Sequence, residues 1–124
     1  MPTVLTKDAI LNAKTSTSFE DVLVDEIADG AVIRLAVMSG HQRDKYEAMI
    51  TSRTDKNGRL TESKGLKAAL VVMCAVGEDG VRLFDDEDVD KLNGLSAVVI
   101  ERLFDAACRI NAIGEAATEV ARGN

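Results

Sequence analysis

Tryptophan is absent, and Phe19, Tyr46, Phe84 and Phe104 are the only aromatic side chains. A core without large rings must be filled by Leu, Val, Ile, Ala and Met. Cysteine is nearly as scarce. Cys74 and Cys108 each sit inside an apolar helical pattern, where cysteine packs as a small hydrophobe. With no Cys-x-x-Cys spacing they make no metal site, and a reducing compartment would keep them from bridging. His41 is the single histidine, expected in an exposed first helical turn, with no nucleophile or ligand at useful spacing. The nine glycines are scattered, so no phosphate-cradling loop is present. These absences leave no catalytic constellation, and neither enzyme activity nor a cofactor or metal is expected. Basic residues are outnumbered 15 to 21 by acidic ones, for a net charge of −6, and form no block. Nucleic-acid binding, which needs clustered cations against phosphates, is not expected. The longest apolar run, Ala68–Val76, is far below the roughly 20 residues that span a bilayer. The N-terminal stretch lacks the basic-then-apolar order of a signal peptide. A cytoplasmic protein without membrane contact is expected.

What is present is a chain of 124 residues, 46% hydrophobic, enough for one domain with a real core. Thr6 is a good N-cap for a helix through about Lys14, with Leu5 and Ile10 spaced as a hydrophobic staple. Lys14–Ser18 is small and polar, so residues 1–18 read as a helical arm and linker, and 19–124 as the domain proper. From Phe19 to Met38 the period becomes two. Asp29-Gly30 signals a two-residue hairpin turn between Asp21–Ile27 and Ala31–Val37. Ala31, Ile33, Leu35 and Val37 share one face, and Val32, Arg34 and Ala36 the other. In the first strand Asp21 and Asp25 fall on the face of Leu23 and Ile27, which suits an edge position. Two strands alone are marginal, so helices must cover the Ile33/Leu35/Val37 face or another strand must join.

Ser39 and Gln42 form a capping box that opens a helix over 40–52. A turn-rich loop leads to a helix over 62–76, apolar nearly all round after Lys67 and stopped by Gly77. A strand is the competing reading for Leu70–Val76. Asp85 caps a short acidic helix over 86–92, ended by Asn93-Gly94, and Ser96 caps a long helix over 96–113. Gly114 breaks that helix, and Glu115–Ala121 forms a last short turn. In the long helix Leu95, Val99, Leu103, Ala106, Ile110 and Ile113 make one apolar stripe, and Ile100, Phe104 and Ala107 a second beside it. Asp105 and Arg109 are spaced as an i,i+4 ion pair. So wide an arc is either that of a central core helix, or core on one side and partner-facing on the other. On the second reading Ile100, Phe104 and Ala107 bind a partner, with Val32 and Arg34 on the outer hairpin face as further candidates, and Ile100→Asp keeps the fold. The predicted class is α+β, mainly helical: an N-terminal β-hairpin on a small bundle of about four helices.

Two stretches imitate cation sites. Arg53–Lys64 places Asp55, Asn57 and Gly58 as an EF-hand loop does, but Arg53 and Lys64 stand where its anchoring carboxylates belong. A tight Asn-Gly turn is the expected structure. The run Asp85, Asp86, Glu87, Asp88 and Asp90 fits no such frame and reads as a solvated helix start.

The order of these pieces is itself informative. A hairpin is followed by Met38-Ser39-Gly40-His41-Gln42-Arg43-Asp44-Lys45-Tyr46-Glu47 and an apolar helix. Glu78-Asp79-Gly80-Val81-Arg82-Leu83-Phe84 comes next, before a long helix ending Ala107-Cys108-Arg109-Ile110-Asn111. Over about residues 28 to 113 the chain resembles the tail assembly chaperones of long-tailed, siphovirus-type bacteriophages and prophages. It departs from their pattern at Met38-Ser39, Gln42 and Ile33. The resemblance implies a non-enzymatic protein that coats the aggregation-prone tape-measure protein in the host cytoplasm and helps recruit major tail protein. It also implies departure before the virion is complete, and in many members a longer frameshifted product. Self-association is expected from an uncovered apolar face and strand edge. Another phage adaptor, such as a head–tail connector or minor tail component, and a small bacterial regulatory module are the alternatives. The neighbouring gene separates them, since a very long helical product favours the chaperone.

Overall fold

The computed structural model describes residues 2–13 and 18–113. A short helix, α1 (Lys7–Leu11), is followed by β1 (Phe19–Leu23), β2 (Val32–Ala36), α2 (Gly40–Ser52), α3 (Leu66–Cys74) and β3 (Ala75–Val76). A 3₁₀ turn at Asp86–Asp88 runs into α4 (Val89–Leu92), and α5 (Ala97–Ile110) closes the described fold. The strands form one antiparallel sheet in the order β1-β2-β3. The α+β class and the hairpin-on-helices arrangement are those the sequence predicts.

The hairpin pairs Phe19 with Ala36 through Leu23 with Val32. Its connection is the eight-residue stretch 24–31, so the two-residue turn at Asp29-Gly30 is corrected. The reason is local. The Asp25 carboxylate accepts the Gly30 N–H at 2.8 Å, and the Val24 carbonyl takes the N–H groups of Ile27 and Ala28, closing a loop that outcompetes the tight turn. Val32 therefore faces Leu23 instead of Ile27. That shift is even, so every side chain keeps its face. Val22, Val24 and Leu35 point inward and are buried, while Asp21 and Leu23 point outward. β1 lies at the sheet edge.

The Ser39 hydroxyl accepts the Gln42 N–H at 3.2 Å and the Gln42 side chain accepts the Ser39 N–H at 2.9 Å, which is the predicted capping box of α2. In α3, Leu66 and every residue from Ala68 to Cys74 are buried, as a helix apolar all round requires. It starts later than predicted because Gly65, at φ +74°, cannot continue a right-handed helix. It also ends two residues early, since Ala75-Val76 turn extended and pair with Leu35 and Arg34 of β2. The competing strand reading thus holds for those two residues only. Ser96 caps α5 by accepting the Val99 N–H at 3.2 Å. That helix stops before the predicted 113 because Asn111 is its C-cap and Ala112 turns to φ +51°. α3 and α5 pack on each other, and both meet the inner face of the sheet.

Thr6 caps α1 as predicted, accepting the Ala9 N–H. The helix ends at Leu11, and Leu5 and Ile10, the expected staple, are both more than half exposed. Residues 14–17 of the predicted linker (14–18) and the short turn predicted at Glu115–Ala121 lie outside the described residues.

The ring of Tyr46 is buried under α2, and its hydroxyl has no hydrogen-bond partner among the described residues. Burial pushes its pKa upward. It likewise pushes the Cys74 thiol up to about 12. A buried, unpartnered hydroxyl costs stability that a benzene ring of the same shape does not. Tyr46→Phe is expected to raise the unfolding free energy by about 1 kcal/mol, read from urea denaturation. A loss of stability would mean that the hydroxyl is satisfied.

Candidate protein-binding surface

The second stripe of the long helix lies inside the monomer. Ile100 is 5% exposed and Phe104 and Ala107 are 0%. α5 is flanked within its own chain by α3 and by the sheet, so the width of its apolar arc is used up by the fold. The partner-facing reading of Ile100, Phe104 and Ala107 is corrected accordingly.

The polar arc of α5 is not idle. Arg102 holds Glu26 with two hydrogen bonds, at 2.8 and 2.5 Å, and donates to the Leu23 carbonyl at 3.0 Å. Arg109 donates to Glu20. Two turns of α5 are thereby clamped along β1. Because Val24 and Ser18 bond across to Ala31 and Val37, the residues flanking β2, the intervening odd residues aim their backbone groups at the open edge. Arg102 covers one of these, the Leu23 carbonyl, which blunts the edge against another strand.

The Arg102 hydrogen bonds, and then a backbone one, hold Glu26 at about 2, well below its ordinary 4.5. Asp86, between Lys45 and Arg82, and Asp21, against Arg34, are also lowered. A carboxylate with a depressed folded-state pKa contributes stability that is present above its unfolded value and lost as pH falls through the folded one. Acid destabilisation is therefore expected to set in near pH 4.5 and to be complete near pH 2. In Arg102→Ala the larger share of the part due to Glu26 should be lost, so the melting temperature should fall less steeply across that window.

The outer face of the hairpin carries the exposed apolar residues. Phe19, Leu23 and Val32 are each about half exposed, and Leu23 stands directly across from Val32. Between them Arg34 grips Asp21 through two bonds, at 2.8 and 3.0 Å, with its guanidinium 4.0 Å from the centre of the Phe19 ring. The Arg34 charge is thus answered inside the strand pair. The resulting surface is a rigid apolar patch with a neutralised centre, suited to an apolar stripe better than to an anion.

A groove of about 370 Å³ opens at the turn end of the hairpin. Its floor is Ile27, Ile33, Phe84, Leu92 and Leu95, and Asp88 and Lys91 stand on its rim. Periodicity assigns Ile27 to a strand and Leu95 to a helix stripe, and no local signal joins them. The groove was not legible in the sequence for that reason.

The two cation mimics are occupied by protein groups. The Asp55 carboxylate accepts the N–H groups of Asn57 and Arg59, both at 2.9 Å, in a turn where Gly58 adopts φ +80°. Asp86 takes Lys45 at 2.5 Å and Arg82 at 2.6 Å, and Asp88 takes the Asp85 N–H. Among the described residues no group of three or more His, Cys, Asp or Glu is placed to hold a metal, and no helix is long and apolar enough to cross a membrane. His41 is exposed, as predicted, and both cysteines are buried free thiols.

No protein-family model and no curated protein sequence matches the chain. Among solved structures, the fold is similar to that of the bacteriophage HK97 tail assembly chaperone. The TM-score is 0.56 and the identity 14%, over 87% of this chain and 92% of that one.

Proposed function

We propose that this chain is a tail assembly chaperone of a long-tailed bacteriophage or prophage. The observation that carries the reading is the shared fold, spanning 87% of this chain and nearly the whole of the HK97 chaperone. The motif order around Met38–Glu47 and Glu78–Phe84 supports it independently. In this reading the protein acts without catalysis in the host cytoplasm, keeps the tape-measure protein soluble, helps recruit major tail protein, and is absent from the mature virion. The outer hairpin patch of Phe19, Leu23 and Val32 receives apolar helical stripes of the tape-measure protein. Arg34 holds Phe19 in place, and the net charge of −6 keeps the complex dispersed.

Co-expression with the tape-measure protein of the same phage tests this. The tape-measure protein is expected in the soluble fraction with the wild type, and in the pellet with Leu23→Asp/Val32→Asp. Circular dichroism of the double variant should match the wild type, because both side chains are half exposed. A tape-measure protein that is equally insoluble with the wild-type chain present would overturn the assignment.

A further inference from the structure

The turn that imitates a calcium loop carries an Asn-Gly pair, Asn57-Gly58, and a second pair stands at Asn93-Gly94. Asparagine is thermally labile, and most so before glycine. No side chain shields the glycine nitrogen, which can reach the asparagine side-chain amide once its own hydrogen bond is broken. Both pairs are held against this in the folded chain. The Gly58 N–H donates to the Asp55 carbonyl at 3.0 Å, and the Gly94 N–H to the Lys91 carbonyl at 3.1 Å. What separates the two pairs is the cost of letting go.

Every residue from Asp55 to Arg59 is exposed, and a Cβ added to Gly58 would meet nothing within 4 Å. The turn is closed by its own short-range bonds. The Asp55 N–H donates to the Arg59 carbonyl at 2.8 Å, and the Asp55 carboxylate accepts the N–H groups of Asn57 and Arg59, both at 2.9 Å. Such a turn opens while the core stays shut, at the inexpensive end of local unfolding. Asn93 and Gly94 are exposed too, but they are pinned between buried Leu92 and Leu95, which packs on the core. The Asn93 N–H donates to the Val89 carbonyl, and a Cβ at Gly94 would lie 3.1 Å from the Lys91 carbonyl. Opening that corner disturbs α4 and the entry to α5.

We propose that Asn57 is a site of spontaneous deamidation, and that Asp55 is the positioning residue that sets its rate. In the opened turn the Gly58 nitrogen gives its proton to solvent and bonds to Cγ of Asn57. The side-chain amide leaves as ammonia, closing a succinimide ring. Water then adds to one of the two ring carbonyls, and the ring opens to aspartate or isoaspartate at position 57. Water is the sole co-reactant, and nothing is oxidised or reduced. Either product adds a carboxylate next to that of Asp55. Isoaspartate also lengthens the backbone by a methylene, which throws the Thr54–Leu60 bridge out of register.

Prolonged incubation of the full chain in mildly alkaline buffer, with peptide mapping by mass spectrometry, tests this. Asn57 is expected to convert ahead of Asn93, and Asn57→Gln should remove the early product. Asp55→Ala should speed conversion at least about fivefold, because it frees the two N–H groups that the carboxylate holds. Asp55→Ser keeps an acceptor oxygen without the charge and should return the rate toward wild type, which separates hydrogen bonding from electrostatic repulsion. Melting temperatures of these variants should stay close to wild type, since the whole turn is exposed. Conversion of Asn93 first, or an Asn57 left intact, would overturn the site. Asp55→Ala at the wild-type rate, or Asp55→Ser as fast as Asp55→Ala, would overturn the role of Asp55.

Discussion

Phe104→Ala is expected to destabilise the protein by about 3–5 kcal/mol, the range for truncating a fully buried aromatic ring. Phe104 has no exposed surface, and its neighbours on the helix, Leu103 and Ala107, have none either. A domain of this size is typically stable by about 5–15 kcal/mol, so the loss is a large share of the whole. Urea denaturation measures it directly. Ile100→Asp is expected to be worse, since it removes a buried aliphatic chain and places a carboxylate at a position 5% exposed. The sequence leaves open a reading in which this substitution keeps the fold and loses the partner. The structure reverses that expectation. Val98→Asp on the same helix is the control, because Val98 is 65% exposed and a surface change of this kind costs within about 0.5 kcal/mol. Phe104→Ala and Val98→Asp variants of equal stability would contradict the packing described here.

Asn111→Leu should cost about 1–3 kcal/mol, by a different mechanism. Asn111 carries a buried side-chain amide, 8% exposed, that joins three elements. Its Oδ1 accepts the Met38 N–H at 2.7 Å where β2 gives way to α2. Its Nδ2 donates to the Ala107 carbonyl at 2.9 Å in the last turn of α5, and to the Cys74 sulfur at 3.4 Å at the end of α3. Leucine fills a similar volume but leaves the buried Met38 N–H without its acceptor, while the Ala107 carbonyl keeps the backbone N–H of residue 111. A buried donor left so costs about 1–3 kcal/mol. The diagnostic readout is hydrogen exchange at the Met38 amide, which should accelerate beyond what the global loss of stability explains. An unchanged Met38 amide would show that another group accepts its proton. The Arg43 side chain also donates to the Asn111 carbonyl, at 2.9 Å. That bond uses the backbone and survives the substitution, so the chain should still close at this corner.

The features determined by sequence alone are those whose hydrogen bonds span a few residues. Thr6, Ser39 and Ser96 cap helices because a hydroxyl three residues ahead of an N–H can reach it whatever the rest of the chain does. The α+β class and the inward face of β2 follow from side-chain period, which an even shift of register leaves untouched. An apolar helix such as α3 had to be central, because no arrangement can expose it on any side. Tertiary structure decided whatever depends on which elements become neighbours. Periodicity gives the width of the apolar arc on α5 but not the number of its neighbours, and both stripes turned out to face the protein's own core. Ala75 and Val76 became a strand because β2 offered an open edge beside them, a fact located some 40 residues away. Arg109 donates to Glu20, 89 positions back, because the fold lays α5 along β1. The groove between Ile27 and Leu95 exists only once the hairpin loop and α4 are side by side. Local chemistry is fixed by bonds that the chain cannot avoid making, whereas a surface is fixed by which buried faces have already found each other.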